Sequence, residues 1–202
     1  MLIANFTLII VISYLLGSIP TGYWLGRMKG VDIREFGSGN IGMTNVLRVL
    51  GKPYAILTFI VDVGKGTVAV TLLPWLFHTP DPWMKVLAGL AAVCGHNWTV
   101  FLKFKGGKGV NTSAGVFLGL APIPTLIVLL IFGIILALFR YVSLGSMIAA
   151  VCFPILMLIF HQNILYIILS ILLALFILIR HISNIKRLIA GTENKFSLKK
   201  KT

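Results

Sequence analysis

The feature that most constrains this chain is its succession of apolar segments separated by short polar loops. Seven can be read: Leu2 to Leu25, Tyr54 to Phe77, Met84 to Leu102, Val110 to Ala121, Thr125 to Phe139, Val142 to Phe160 and Ile164 to Ile179. A run of about 20 apolar residues crosses a bilayer as a helix, because a helix satisfies its own backbone polar groups where no water can. Of 202 residues, 58% are hydrophobic and 11% charged, whereas soluble domains carry roughly a quarter charged residues. The expected fold is an all-α integral membrane protein of about seven transmembrane helices, one polytopic domain over residues 1–202. The fourth segment has about a dozen residues, roughly 18 Å of helix, which is short for a crossing. Pro122 and Pro124 mark a break after it. A re-entrant hairpin there, with five or six spans in all, is the alternative. Met1 to Asn5 hold neither a positive n-region nor a cleavage site, so the first segment reads as a retained span.

Charge orients the spans. There are 18 Lys and Arg against 5 Asp and Glu, a formal net charge of +13. In a soluble protein this would suggest nucleic acid, but membrane proteins gather Lys and Arg in cytoplasmic loops, and no nucleic-acid partner is expected. Placing residues 27–53, 103–108, Arg140 and the tail from Arg180 on one side collects 16 of the 18 basic residues there. The N-terminus is then expected outside and the C-terminus in the cytoplasm.

The scarcity of acids excludes one class of chemistry. Enzymes that hold diphosphates through Mg²⁺ use clustered carboxylates. Asp32, Glu35, Asp62, Asp81 and Glu193 form no aspartate-rich motif, so no metal and no cofactor are expected. Cys94 and Cys152 both lie in apolar runs and form no CxxC, which indicates neither a disulfide framework nor a thiolate site.

Four polar stretches can carry chemistry. The first runs Gly37-Ser38-Gly39-Asn40-Ile41-Gly42-Met43-Thr44-Asn45-Val46-Leu47-Arg48. Its glycines let backbone approach a ligand closely, and its hydroxyls and amides supply donors. A helix starting near Thr44 would turn its free amides toward an anion, with Arg48 one turn on as a charge-assisted donor. An ordinary flexible loop is the bland alternative. The second stretch is Phe104-Lys105-Gly106-Gly107-Lys108-Gly109, followed by Val110-Asn111-Thr112-Ser113. Bare amides, a Lys point charge and then hydroxyls before a helix have the physics of a phosphate loop. The spacing is not that of a Walker A motif. Together the two loops suggest two anion sites, or one site made by both.

The third stretch, Arg180-His181-Ile182-Ser183-Asn184-Ile185-Lys186-Arg187, puts His181 and Asn184 three apart, on one face of a helix. His181 there is a general base, a phosphate donor or an interfacial residue. The fourth, Asp62-Val63-Gly64-Lys65-Gly66, places two ionisable groups inside an apolar run. Such groups are functional by default and usually paired, so a structural ion pair stands beside a catalytic role. His96 and Asn97 are similarly open. There is no G-x-S-x-G elbow at Ser38 and no His followed five positions later by Asp. A transporter of phosphorylated metabolites would suit an odd number of spans and the intramembrane Asp62 and Lys65. Against it, no inverted repeat is apparent, and the polar motifs lie on one face.

In order along nearly the whole chain, these stretches resemble the PlsY family, bacterial membrane acyl-phosphate:glycerol-3-phosphate acyltransferases. The matching pieces are Leu16-Gly17-Ser18-Ile19-Pro20, Gly30-Val31-Asp32-Ile33-Arg34, Gly37 to Asn45, Asp62 to Gly66 and Gly95-His96. They continue with Phe104 to Gly109, Arg140-Tyr141-Val142-Ser143, and Arg180-His181 with Asn184 and Glu193. Two departures are Thr99-Val100-Phe101 where the family usually has Pro-Val-Phe, and Asn111-Thr112 where it usually has Ala-Thr. The resemblance implies a seven-span enzyme of the bacterial cytoplasmic membrane whose active site faces the cytoplasm. It would join an acyl group from acyl phosphate to the 1-hydroxyl of glycerol 3-phosphate, giving lysophosphatidic acid and phosphate. The implied partners are glycerol 3-phosphate, acyl phosphate, the lipid bilayer and a soluble enzyme that produces acyl phosphate. Implied around the reacting groups are Ser38, Arg48, Lys108, His181 and Asn184. Gly37, Gly39, Asn40, Thr44, Asn45, Gly106, Gly107 and Gly109 are expected to bind substrate, with Glu193 in a structural role.

Overall fold

The computed structural model describes residues 2–196, with side chains from Ala4 onward. Met1 and the tail residues 197–202, whose lysines the charge argument counted, lie outside the described residues. The described chain is helical with no strand, and it forms two compact units that meet in sequence between Gly119 and Leu120.

The first unit contains α1 (Leu2–Ser18), α2 (Thr21–Met28), α3 (Met43–Val49), α4 (Lys52–Val70), α5 (Leu72–Leu76), α6 (Pro82–Asn97) and α7 (Val110–Leu120). α1 packs against α6, and α4 packs against both. Close approach depends on small residues, as is usual between membrane helices. Gly17 lies on the Ala92 backbone and Gly115 on the Val63 backbone, so a Cβ at either would meet main chain. Away from these contacts Ile9, Leu73, Met84 and Ala88 form an apolar cluster, joined by Phe6 and Phe77.

The expected first span is broken. Pro20 cannot donate an amide to the helix before it, and α1 turns into α2 through 41°. A break inside a membrane leaves carbonyls that need partners. Here the Thr99 hydroxyl donates to the Ser18 carbonyl at 2.5 Å, and the Lys65 ammonium donates to the Ile19 carbonyl at 3.2 Å. Thr99, one of the departures from the family pattern, therefore holds the broken helix end.

The second unit contains α8 (Pro122–Phe139), α9 (Val142–Ile159), α10 (Ile164–Arg180) and α11 (Ile182–Ile189). α9 lies against both α8 and α10. Ile123, Leu126 and Leu130 form an exposed apolar stripe along α8, the pattern of a helix facing lipid. α10 bends into α11 by 55° at His181.

Among the described residues, four helical stretches are long and apolar enough to cross a membrane, and the two bent pairs bring the number to six. α7, with 11 residues, is shorter. Its end and the start of α8 flank Ala121, where Pro122 and Pro124 predict the break.

Candidate functional site

Two turns and one ion cluster in the first unit, and one histidine corner in the second, hold the residues singled out from sequence.

The first turn lies between α2 and α3. Asp32 opens a short 3₁₀ turn, Ile33–Glu35, and accepts from the Arg34 amide at 3.0 Å and from its guanidinium at 2.6 Å. The hydrogen bonds from the Arg34 guanidinium lower the Asp32 pKa to about 2. The chain then reverses through Gly37 and Gly39, at φ of 63° and 68°, a left-handed conformation that favours glycine. Asn45 holds the turn from below. Its carboxamide donates to the carbonyls of Ile33 at 2.8 Å and Phe36 at 3.1 Å, and accepts from the Ser38 amide at 2.8 Å. Asn45, expected to bind substrate, is buried and has both amide protons on the backbone of its own loop. Asn40 acts locally too, its oxygen accepting from the Gly42 amide at 2.8 Å. α3 starts at Met43, next to the expected Thr44. Thr44 stands in its first turn and Arg48 in its last, and the aliphatic stem of Arg48 lies close to Gly37. Ser38, Thr44 and Arg48 are all partly accessible.

The second turn, Gly106 to Gly109, is seated on the end of α6. The Gly106 amide donates to the Asn97 carbonyl at 3.1 Å and the Gly107 amide to the His96 carbonyl at 2.9 Å. A Cβ at Gly107 would strike the His96 imidazole at Nε2. Gly109, at φ 78°, lies against the Asn97 carboxamide. That buried carboxamide and the buried hydroxyls of Thr112 and Ser113, in the first turn of α7, have no protein partner among the described residues. Gly107 and Gly109 are buried, and Lys108 between them is partly accessible.

Beneath this turn lies the ion cluster. Asp62 and Lys65 pair at 2.8 Å, the structural reading of the fourth stretch. Lys65 also lies 2.9 Å from His96 Nδ1. Sequence reasoning left His96 and Asn97 open. Residues 98–105 separate them from the glycine turn, and that spacing gave no signal that they form its seat.

In the second unit His181 closes α10 and begins α11. Its Nδ1 lies 2.7 Å from the Ile177 carbonyl. A carbonyl only accepts, so Nδ1 carries the proton and the lone pair of the neutral ring is on Nε2. The Asn184 backbone amide donates to the His181 carbonyl at 2.8 Å, so the expected pair is joined through the first turn of α11. Glu193 accepts from the Asn184 carboxamide at 2.7 Å, the Ser143 hydroxyl at 2.8 Å and the Arg187 guanidinium at 2.7 Å. This is the structural role expected of it. Arg187 was not foreseen as its partner.

Fold and turns together define an all-helical, multi-pass integral membrane protein with donor-rich glycine turns. The glycerol-3-phosphate acyltransferase pattern matches residues 7–191. The glycerol-3-phosphate acyltransferase of Parasynechococcus marenigrum is 50% identical, covering 95% of this chain and 90% of that protein. Its counterpart from Trichlorobacter lovleyi is also 50% identical, covering 91% of this chain and 94% of its own length. The crystal structure of PlsY (YgiH), an integral membrane glycerol 3-phosphate acyltransferase, in its glycerol 3-phosphate form has a TM-score of 0.90 at 38% identity, covering 95% of this chain and 96% of that one. Its lysophosphatidic acid form has a TM-score of 0.86 at the same identity, with 96% of each chain covered. The chain belongs to the glycerol-3-phosphate acyltransferase family.

Proposed function

We propose that this protein transfers a fatty acyl group from acyl phosphate to the 1-hydroxyl of glycerol 3-phosphate, forming lysophosphatidic acid and phosphate. The observation that carries this reading is the pair of braced glycine turns, Gly37–Arg48 on Asn45 and Gly106–Gly109 on His96 and Asn97, which carry the partly accessible Ser38, Arg48 and Lys108. Both substrates are phosphates, and both need cationic cradles rich in donors.

In the reaction the hydroxyl oxygen attacks the acyl carbonyl, and a tetrahedral oxyanion forms. That oxyanion collapses as the bond to phosphate breaks. Acyl phosphate is a mixed anhydride with a good leaving group, so no acyl-enzyme intermediate is required. The main task is to stabilise the oxyanion and the departing phosphate, which we assign to Ser38, Arg48 and Lys108. Gly106, Gly107 and Gly109 serve glycerol 3-phosphate. Gly37 and Gly39 shape the first turn, with Thr44 contributing a hydroxyl. The departing phosphate and His181 are the candidate acceptors of the hydroxyl proton. For His181, the Nε2 lone pair set by Ile177 supports this assignment, and Asn184 fixes the helix start beside it.

The two units work as one acyltransferase domain, residues 1–202, with seven crossings of the bacterial cytoplasmic membrane. The N-terminus is outside, and a soluble enzyme supplies acyl phosphate on the cytoplasmic side. The test uses purified protein in detergent, where no transport occurs. With glycerol 3-phosphate present, acyl phosphate should yield lysophosphatidic acid, and acyl-CoA and acyl carrier protein thioesters should not. Turnover of acyl-CoA as fast as acyl phosphate would overturn the donor assignment.

A further inference from the structure

The Asp62–Lys65–His96 cluster lies inside the first unit and has no step in the reaction above. Asp62 and His96 are buried, and the Lys65 side chain is 1% exposed. An ammonium has three donors and no acceptor. Lys65 has three acceptors around it: Asp62 Oδ1 at 2.8 Å, the Ile19 carbonyl at 3.2 Å and His96 Nδ1 at 2.9 Å. An ammonium only donates, so His96 Nδ1 accepts from Lys65 at 2.9 Å, with Asp62 Oδ1 farther from that nitrogen at 3.6 Å. The proton of the neutral imidazole is then on Nε2, the nitrogen that faces Gly107. His96 and His181 therefore hold opposite tautomers, each set by the group at Nδ1.

The ring also has little freedom to move. Its Nδ1 edge is tied to Lys65, and its Nε2 edge is packed against Gly107, where no Cβ fits. The carbonyls of His96 and Asn97 receive the Gly107 and Gly106 amides. One residue thus connects a buried charge pair to the glycine turn through both its side chain and its main chain. Lys65 further connects the same point to the Ile19 carbonyl at the α1–α2 break.

We propose that Asp62 and Lys65 are positioning residues which lock the tautomer and orientation of His96, and that His96 in turn fixes the Gly106–Gly107 turn in its binding geometry. The effect on substrate rests on the reading of that turn as a glycerol 3-phosphate site. The effect on the turn itself does not. Removing one ion of a buried pair strands the other, whereas removing both is better tolerated. The informative variant is therefore Asp62→Asn with Lys65→Met.

Three measurements on detergent-solubilised protein decide it. Nitrogen NMR of histidine-labelled wild type should show His96 protonated at Nε2 and bare at Nδ1. A His96 protonated at Nδ1 overturns the proposal. Amide exchange at Gly106 and Gly107 should be about tenfold faster in the double variant, the loss of roughly one hydrogen bond's protection. Unchanged exchange overturns it. The KM for glycerol 3-phosphate should rise about tenfold while kcat and the KM for acyl phosphate move much less. If the double variant does not fold, His96→Gln is held to the same exchange and KM criteria. Gly107→Ala serves as the control. If it does not move that KM although exchange accelerates in the double variant, the substrate reading of the turn fails and the positioning network stands.

Discussion

Glu193 Oε1 accepts a hydrogen bond from the Asn184 carboxamide at 2.7 Å, and this contact decides which way that amide faces. A carboxylate only accepts, so the NH₂ group of Asn184 is toward Glu193 and its oxygen points elsewhere. The same carboxylate holds Ser143 at the start of α9 and Arg187 on α11, which braces the corner where His181 sits. Burial alone would raise the Glu193 pKa, but the hydrogen bonds from Asn184, Ser143 and Arg187 outweigh it and lower the value. The folded pKa is thus below the unfolded one. The stabilisation is complete above the ordinary glutamate value of about 4.3 and is lost as pH falls through the lowered folded value. Glu193→Gln keeps an acceptor but loses the charge facing Arg187, at a cost of about 1 kcal/mol or a few degrees in Tm at neutral pH. Thermal unfolding in detergent should show that gap closing as pH drops below about 4. A gap of constant size down to acid pH would contradict the assignment.

Four of the five acids are tied to donors, which predicts metal independence. Asp32 is tied to Arg34, Asp62 to Lys65, Asp81 to the Met84 amide, and Glu193 to three donors. A Mg²⁺ site needs carboxylate oxygens that can turn to the ion. Acyl transfer should proceed at an unchanged rate in EDTA. Loss of activity in chelator with recovery on adding Mg²⁺ would refute this.

Much of this was legible in the sequence, and the reasons differ by element. The helices were legible because a chain in lipid must bury its backbone polar groups in helices, so α4, α6, α8, α9 and α10 follow the apolar runs. The break at Ile19-Pro20 was hidden inside a longer apolar run. Its stability depends on Thr99 and Lys65, 81 and 46 residues distant from the carbonyls they serve. The Asp62–Lys65 pair was readable from helical spacing, but its contact to His96 was not, since no local pattern encodes a contact between α4 and α6. The bracing contacts of Asn45 were not legible for a related reason. Composition marks an amide in a glycine loop as a donor without telling whether it faces ligand or the loop's own backbone.

The topology can be tested at residues the structure describes. With Cys94 and Cys152 replaced by Ala, Glu35→Cys and Gln162→Cys report on the first turn and the α9–α10 connection. A membrane-impermeant maleimide applied to intact cells should label Gln162→Cys, and should label Glu35→Cys only after lysis. The asymmetry of basic residues motivates this, with 16 of the 18 assigned to one side. Labelling of Glu35→Cys in intact cells would reverse the orientation.

We assign two roles within the first turn, action on substrate to Arg48 and Ser38 and bracing of the turn to Asn45. Arg48 and Ser38 are partly accessible and are assigned to charge that moves during acyl transfer. Removing an interaction made only in the transition state lowers kcat. Arg48→Ala, and to a lesser degree Ser38→Ala, should cut kcat by about 10²-fold, the size of a lost oxyanion donor, with Tm near that of wild type. Asn45→Ala should look different. It leaves the Ile33 and Phe36 carbonyls and the Ser38 amide without the carboxamide that joins them, a loss of about 2 kcal/mol or more. Tm should fall by several degrees, with kcat and KM worsening together. Asn45→Asp should recover the contact to the Ser38 amide but not the two carbonyl contacts, because a carboxylate has no proton to give. Steady-state kinetics beside thermal unfolding, on variants that elute as intact protein, decide the matter. If Asn45→Ala kept wild-type Tm and lost only kcat, then Asn45 acts on substrate and the division drawn here is wrong.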